Sequence, residues 1–519
     1  MIFECARTRV PLDYDHPRGR TISLNLIRIP ATDPENRVGA ILANPGGPGG
    51  SGVDFVLTFG PFVGPALGQE VAERFDFVGF DPRGVADSTP IRCFRTIDEA
   101  VASRPPIAFP LTGDEEALFE QADALLARNC ASRFRNELIG SHMSTANVAR
   151  DMDVIRERMG DEQLNFFGLS YGSFLGTTYA NLFPDQVRSF VLDGIVDPDA
   201  YVNVEGAVPT FNRLRSDEGA QETLEKFFEL CDAAAPGNCA LAPNSRARYV
   251  AAADALLQSP LEIVDPDTGE VVLVVTYQDL IAGTWASLYF PDMYAALAAS
   301  IAEFEALAAN PISVGAAVDR LKAGFGAAKT SVAREPYDNI VEGQPGVLCV
   351  DSNHPTDYSA ISEAGAAADE TYGYFGRLWT WVSSECARWP FADRDRYVGP
   401  FDANTANPVL IVATLYDPAT RYEGAQTLRS ILPNSGLLSV DAPGHTAFLA
   451  GSACSIFIVG QYFLDPEVAN LADGELCPAE FNPFDAFAVP RDEALSDMRQ
   501  AVMAEIVNPA ATMIMADDG

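Results

Sequence analysis

The stretch from Leu164 to Phe183 reads LNFFGLSYGSFLGTTYANLF. Leu164 to Gly168 is an apolar run of strand length, and Tyr171 to Phe183 has the composition of a helix. Between them Gly168-Leu169-Ser170-Tyr171-Gly172 spells G-x-S-x-G. That pentapeptide carries weight because a strand leads in and a helix leads out. A serine in so tight a turn stands above the sheet edge, and a β-carbon on either flanking residue would clash. Working outward, Thr145 to Met159 predicts a helix that Thr145 can cap, with Val148, Met152, Ile155 and Met159 on one apolar stripe. Ser189 to Asp193 is the next strand. Upstream, Thr21 to Pro30, Val38 to Asn44 and Phe75 to Phe80 read as strands; downstream, Pro408 to Thr414 and Leu437 to Val440 do. Strands alternating with helices predict a mostly parallel sheet flanked by helices.

A serine hydroxyl is a poor nucleophile until a base takes its proton, and histidine is the usual base. The chain has four histidines. His16 lies in an N-terminal turn, His142 before the helix that leads to the serine strand, and His354 in a helical region before Pro355. His445 stands in a loop, Ala442 to Thr446, after a late strand, where a base at the sheet's C-terminal edge belongs. The supporting acid should end a strand between serine and histidine in chain order. Asp417 does so, closing PVLIVATLYD; Asp193 is the alternative. Thr420 can donate its hydroxyl to the Asp417 carboxylate. The glycine-rich run Asn44 to Gly52 (NPGGPGGSG) follows an early strand and can offer backbone N–H groups to a developing oxyanion. Gly47 and Tyr171 are the expected donors. A phosphate loop would need GK[ST], which is missing here.

These elements predict an α/β-hydrolase fold with Ser170, Asp417 and His445 as catalytic triad. The runs GGPGGSG, FVGFDPRGVADST, GLSYG, PVLIVATLYDPAT and APGHTAFLAGSAC resemble the secreted tripeptidyl aminopeptidases and their proline iminopeptidase-type relatives. The resemblance spans most of residues 5 to 477 and is weakest in the middle. It departs at Arg421, where the family usually has a second proline, and at Ala86-Asp87-Ser88 in place of Gly-x-Ser. It implies a serine exopeptidase acting through an acyl-enzyme on peptides with a free N-terminus, a helical cap over the site, and export from the cytoplasm, secreted or periplasmic. A carboxylesterase using the same triad is the alternative. Binding an α-ammonium group would call for a carboxylate from the cap, for which Glu205, Glu342 and Asp351 are candidates. No cofactor or metal is expected, and the protein is expected to be a monomer.

Between about residues 200 and 400 the pattern turns to Ala-, Leu- and Glu-rich helices: Gln221 to Ala234, Arg246 to Leu257, Tyr277 to Leu307 and Ser362 to Trp381, with strands only at Leu261 to Val264 and Val271 to Thr276. The expected organisation is hydrolase core over 1–199, helical cap over 200–400, returning core over 401–480 and a loosely packed acidic tail over 481–519. At 519 residues the chain exceeds a single core of roughly 250–300, which fits two units.

The net charge of −37 argues against nucleic acid and anionic membrane surfaces as partners, since both need a basic face. No apolar run reaches the ~18 residues of a membrane span. Nine cysteines with no CxxC pair fit disulfides in an oxidising compartment better than a zinc site. Pairing neighbours along the chain joins Cys93 to Cys130, Cys231 to Cys239, Cys349 to Cys386 and Cys454 to Cys477, and leaves Cys5 alone. Residues 1 to 5 show neither the basic nor the apolar region of a signal peptide and lead at once into a strand pattern, so the expectation is a chain that starts inside the mature protein. The resemblance implies a further cysteine slightly upstream as the partner of Cys5.

Overall fold

Three apolar runs, β3 (Gly39–Asn44), β4 (Phe75–Phe80) and β5 (Leu164–Leu169), are buried at every residue. Strands covered on both faces belong inside a parallel sheet packed between helices. The computed structural model describes residues 2–133, 138–203, 208–264, 270–309 and 339–486. With β1 (Glu4–Pro11), β2 (Thr21–Ile29), β6 (Val187–Asp193), β9 (Val409–Tyr416), β10 (Ser435–Pro443) and β11 (Leu476–Cys477), these strands form one sheet ordered β1-β2-β4-β3-β5-β6-β9-β10-β11. The β1–β2 and β2–β4 pairs are antiparallel, and every pair from β4 to β11 is parallel.

From β3 the chain goes first to β4 on one side and later to β5 on the other. The loops after β3 and β5 therefore diverge at the C-terminal edge, the place where open α/β sheets bind ligands. Register keeps the edge level: Asn44 pairs with Gly168, Leu169 with Asp193, and Asp193 with Val412. The turn after β5 is tight enough that a β-carbon on Gly168 would lie 2.4 Å from the carbonyl oxygen of Gly172.

Between β6 and β9 the described residues are mostly helical and include an antiparallel hairpin, β7 (Leu261–Val264) and β8 (Val271–Val275). Two long helices expected there are broken. Pro291, which cannot donate an N–H, ends one helix at Leu288, and the next starts at Tyr294. Gly373, at φ 91°, closes Tyr358–Tyr372 before Gly376–Trp381. The helix Thr145–Met159 forms as expected, but Ser144 takes the N-cap position, and the Thr145 hydroxyl is engaged elsewhere. All four neighbour disulfides form, and Cys5 is free and exposed. The acidic tail begins more firmly than expected: Pro483–Ala486 is a helical turn, and Phe484 is buried against Phe227 and Tyr294. Residues 487–519 lie outside the described residues. Among the described residues no helix is long and apolar enough to cross a membrane.

Candidate active site

Ser170 occupies the turn between β5 and the helix Tyr171–Leu182 at φ 57°, ψ −124°. A non-glycine residue with positive φ is strained and persists only where its surroundings hold it. Here its N–H donates to the Asp193 carbonyl at 2.9 Å, and its carbonyl accepts the Ser173 hydroxyl at 2.6 Å. The next residue, Tyr171, is the first of the helix, where backbone N–H groups have no partner within the helix. Gly47 and Pro48, from the loop after β3, line the same small cavity as Ser170 and Tyr171. The loop is anchored by Ser51, which caps the helix Gly52–Leu67 and donates its hydroxyl to Asp81 at 2.5 Å. Asp81 is nearly buried, and desolvation pushes its carboxyl up to about 7.

Asp417 follows the end of β9. It accepts N–H bonds from Ala419 and Thr420 on one oxygen, at 2.9 and 2.8 Å, and the Thr420 hydroxyl and Thr446 N–H on the other, at 2.9 and 3.0 Å. His445 Nδ1 lies 2.9 and 3.0 Å from the two oxygens. Burial works to raise this carboxyl, yet the imidazole and the converging donors hold it below the usual carboxylate value. A carboxylate so placed keeps the proton of a neutral imidazole on Nδ1, leaving Nε2 as the basic nitrogen. His445 Nε2 is buried and has no hydrogen-bond partner among the described residues. Gly444 N–H donates to the Tyr416 carbonyl, and His445 N–H to the Tyr289 carbonyl at 3.0 Å. The Tyr289 ring packs edge-on against the imidazole, with centroids 4.8 Å apart.

Gly194 lies between the two halves of the site. Its φ is +72°, and a β-carbon there would come 2.9 Å from Thr420 Oγ1 and 3.5 Å from His445 Cε1. Its neighbour Asp193, the alternative acid, makes no bond to the imidazole. It accepts the N–H groups of Ala447 and Phe448, both at 2.8 Å, and burial pushes its carboxyl up to about 7. The other three histidines are elsewhere: His16 is an exposed partner of Asp13, His142 lies beside Asp13 and Asp395, and buried His354 is pushed down to about 3 by desolvation.

Of the candidates for amine binding, the two that are described, Glu342 and Asp351, do not line this cavity. Glu205 lies outside the described residues. Glu342 is buried and accepts the Cys93 N–H at 2.9 Å. Asp351 is buried, accepts both the N–H and the hydroxyl of Thr145, and through Thr145 reaches the Tyr171 hydroxyl. Its carboxyl is pushed up to about 7 by burial. What the motifs did not signal is the aromatic roof. Phe211, Trp285, Tyr289 and Trp379, all from the helical segment between β6 and β9, line the cavity with Ser170. Their spacing in the sequence is that of ordinary core positions, so only the folded arrangement singles them out.

Residues 39–232 match the family described as alpha/beta hydrolase fold, and residues 372–477 the family described as TAP-like protein. Serine protease Hip1 of Mycobacterium tuberculosis is 31% identical, over 89% of this chain and 85% of that protein. Tripeptidyl aminopeptidase of Streptomyces coelicolor is 30% identical, over 85% of this chain and 77% of that protein. Carboxylesterase B of Mycobacterium tuberculosis is 33% identical, over 89% of this chain and 84% of that protein.

Proposed function

The chain belongs to the α/β-hydrolase family, among its TAP-like members, and on that premise we propose that it is a serine peptidase releasing short peptides or single residues from free N-termini. Ser170 Oγ attacks the scissile carbonyl while His445 Nε2 takes its proton. Asp417 holds the Nδ1 proton and stabilises the imidazolium that results. The N–H groups of Gly47 and Tyr171 receive the oxyanion. The imidazolium then protonates the departing amine, leaving an acyl-enzyme on Ser170, which water resolves by the same route. The observation that carries this reading is the state of His445: Nδ1 is fixed by a buried carboxylate, while buried Nε2 has no partner among the described residues. The aminopeptidase choice is supported by the name of the Streptomyces relative, and the peptidase choice also by that of Hip1.

The second reading, a carboxylesterase with the same triad, is favoured by the cavity wall, which carries no carboxylate among the described residues. Rates on aminoacyl, tripeptidyl and p-nitrophenyl ester substrates separate the two. Cleavage of free but not N-acetylated peptides supports the aminopeptidase; equal rates on both reject it. Four disulfides support an oxidising, extracytoplasmic location for either enzyme.

A further inference from the structure

The cavity above Ser170 has an uncharged wall. Among the described residues that line it, Val196, Phe211, Leu214, Val382 and the aromatic rings supply apolar surface, and none is acidic or basic. The rings form a continuous path away from His445. Tyr289 lies 4.8 Å from the imidazole, Trp285 5.5 Å from Tyr289, Trp379 5.1 Å from Trp285, and Phe211 4.9 Å from Trp379. Three residues on this wall also carry a buried polar group with no partner among the described residues: the Tyr201 hydroxyl and the indole N–H of Trp285 and of Trp379. Tyr201 and Trp285 are 2% exposed and Trp379 4%. A buried donor left unpaired is unfavourable, so three on one wall beside Ser170 mark a place for acceptors to bind.

We infer that Tyr201, Trp285 and Trp379 form a carbonyl-binding wall that selects an acyl group with an uncharged, apolar side chain next to the attacked carbonyl and a second carbonyl further along, as a peptidyl group has. This rests on the serine hydrolase reading and deepens it. An apolar side chain next to the attacked carbonyl fits the rings, whereas a charged one would be buried with no counter-charge on the described wall. Backbone carbonyls further along the acyl group would accept from the phenol and the indoles. A site built to pair such groups discriminates sharply against analogues that lack them.

The test compares kcat/KM on two substrates: a peptidyl anilide with an apolar residue at the attacked carbonyl, and p-nitrophenyl butyrate, whose acyl group has one carbonyl. Tyr201→Phe and Trp379→Phe should each lower the peptidyl rate roughly tenfold and leave the ester rate within about twofold. Trp389→Phe is the control, because its indole N–H is also unpartnered but lies off this wall; it should change neither. Replacing the apolar residue of the anilide by Asp or Lys should cost wild type roughly a hundredfold or more. Thermal melts accompany each variant, so that a loss through misfolding appears on both substrates with a lowered midpoint. Equal losses on both substrates in a folded variant, no loss on either, tolerance of Asp or Lys, or wild type that hydrolyses only the ester would overturn the wall. Wild type that turns over neither substrate and resists fluorophosphonate labelling would overturn the hydrolase reading itself.

Discussion

The Asp193 carboxylate accepts the backbone N–H of Ala447 at 2.8 Å, two residues beyond His445. It accepts Phe448 N–H equally closely, so it holds the first turn of the short helix Ala447–Ala450 and not the imidazole. In the proposed triad, Asp417→Asn would remove the charge that stabilises the imidazolium and should lower kcat by roughly 10³–10⁴. Asp193→Asn turns an amide toward one of two N–H donors. It should cost about 1–3 kcal/mol of stability and lower kcat by less than about tenfold. Steady-state rates and thermal midpoints of the two variants check this; equal kcat losses would contradict it.

Ser170 at positive φ is a local strain that glycine can relieve and alanine cannot. Both Ser170→Ala and Ser170→Gly should lose turnover and fluorophosphonate labelling. Ser170→Gly should then be the more stable of the two by roughly 1 kcal/mol, even though glycine usually destabilises. Denaturant midpoints measure the difference.

Stability should fall as pH rises through the neutral range. Asp81, Asp193 and Asp351 are each raised to about 7 in the folded protein. Between the ordinary carboxylate range and about pH 7 the unfolded chain therefore binds fewer protons than the folded one, and each unit of increase lowers the unfolding free energy. Asp417 acts oppositely, its contribution being lost only as pH falls below the usual carboxylate range. Calorimetry should find a higher midpoint near pH 5.5 than near pH 8. The reverse order would mean that these three carboxyls are not held protonated.

Thr145 bridges Asp351 and Tyr171 through one hydroxyl. Thr145→Val takes the hydroxyl partner from Tyr171 and leaves Asp351 only the backbone N–H of residue 145, and should cost about 1–3 kcal/mol, with a reduced kcat because Tyr171 adjoins Ser170. Thr145→Ser keeps the hydroxyl and should recover most of both. Failure of serine to rescue would make the threonine methyl, not the bridge, the important group.

Thiol titration of the denatured, unreduced protein should find one reactive group, Cys5. Each of the two bonds separated by 37 residues, Cys93–Cys130 and Cys349–Cys386, should contribute roughly 4 kcal/mol in the chain-entropy account. Reductant should therefore lower the midpoint by many degrees.

The parts of the fold legible in sequence were those governed by short-range physics. The run 164–183 carries strand, strained turn and helix in one window, and Asp417 and His445 each follow an apolar run that can only be a buried strand. Sequence favoured Asp417 over Asp193 as the acid but gave Asp193 no role of its own, since both end strands; what distinguishes them in the fold is that Asp417 meets the imidazole and Asp193 the backbone turn after it. Nor could it tell that Glu342 and Asp351 serve the interior, because an acid's partners there, the Cys93 N–H and Thr145, lie more than 200 positions away in the chain. The aromatic wall was hidden for the same reason. Phe211, Trp285 and Trp379 converge only through tertiary packing.

The two strands that bracket the helical segment are hydrogen-bonded neighbours, with Val191 opposite Leu410 and Asp193 opposite Val412. The chain leaves the sheet and rejoins it at adjacent positions, so the excursion between them behaves as a cassette whose contents can be exchanged without moving either end. Lengthening such a loop costs only the logarithm of its length. The elbow, the acid turn and the histidine loop are anchored to the sheet and inherit none of that change. What the cassette contacts can therefore change in diet while the sheet edge that carries Ser170, Asp417 and His445 stays where it is.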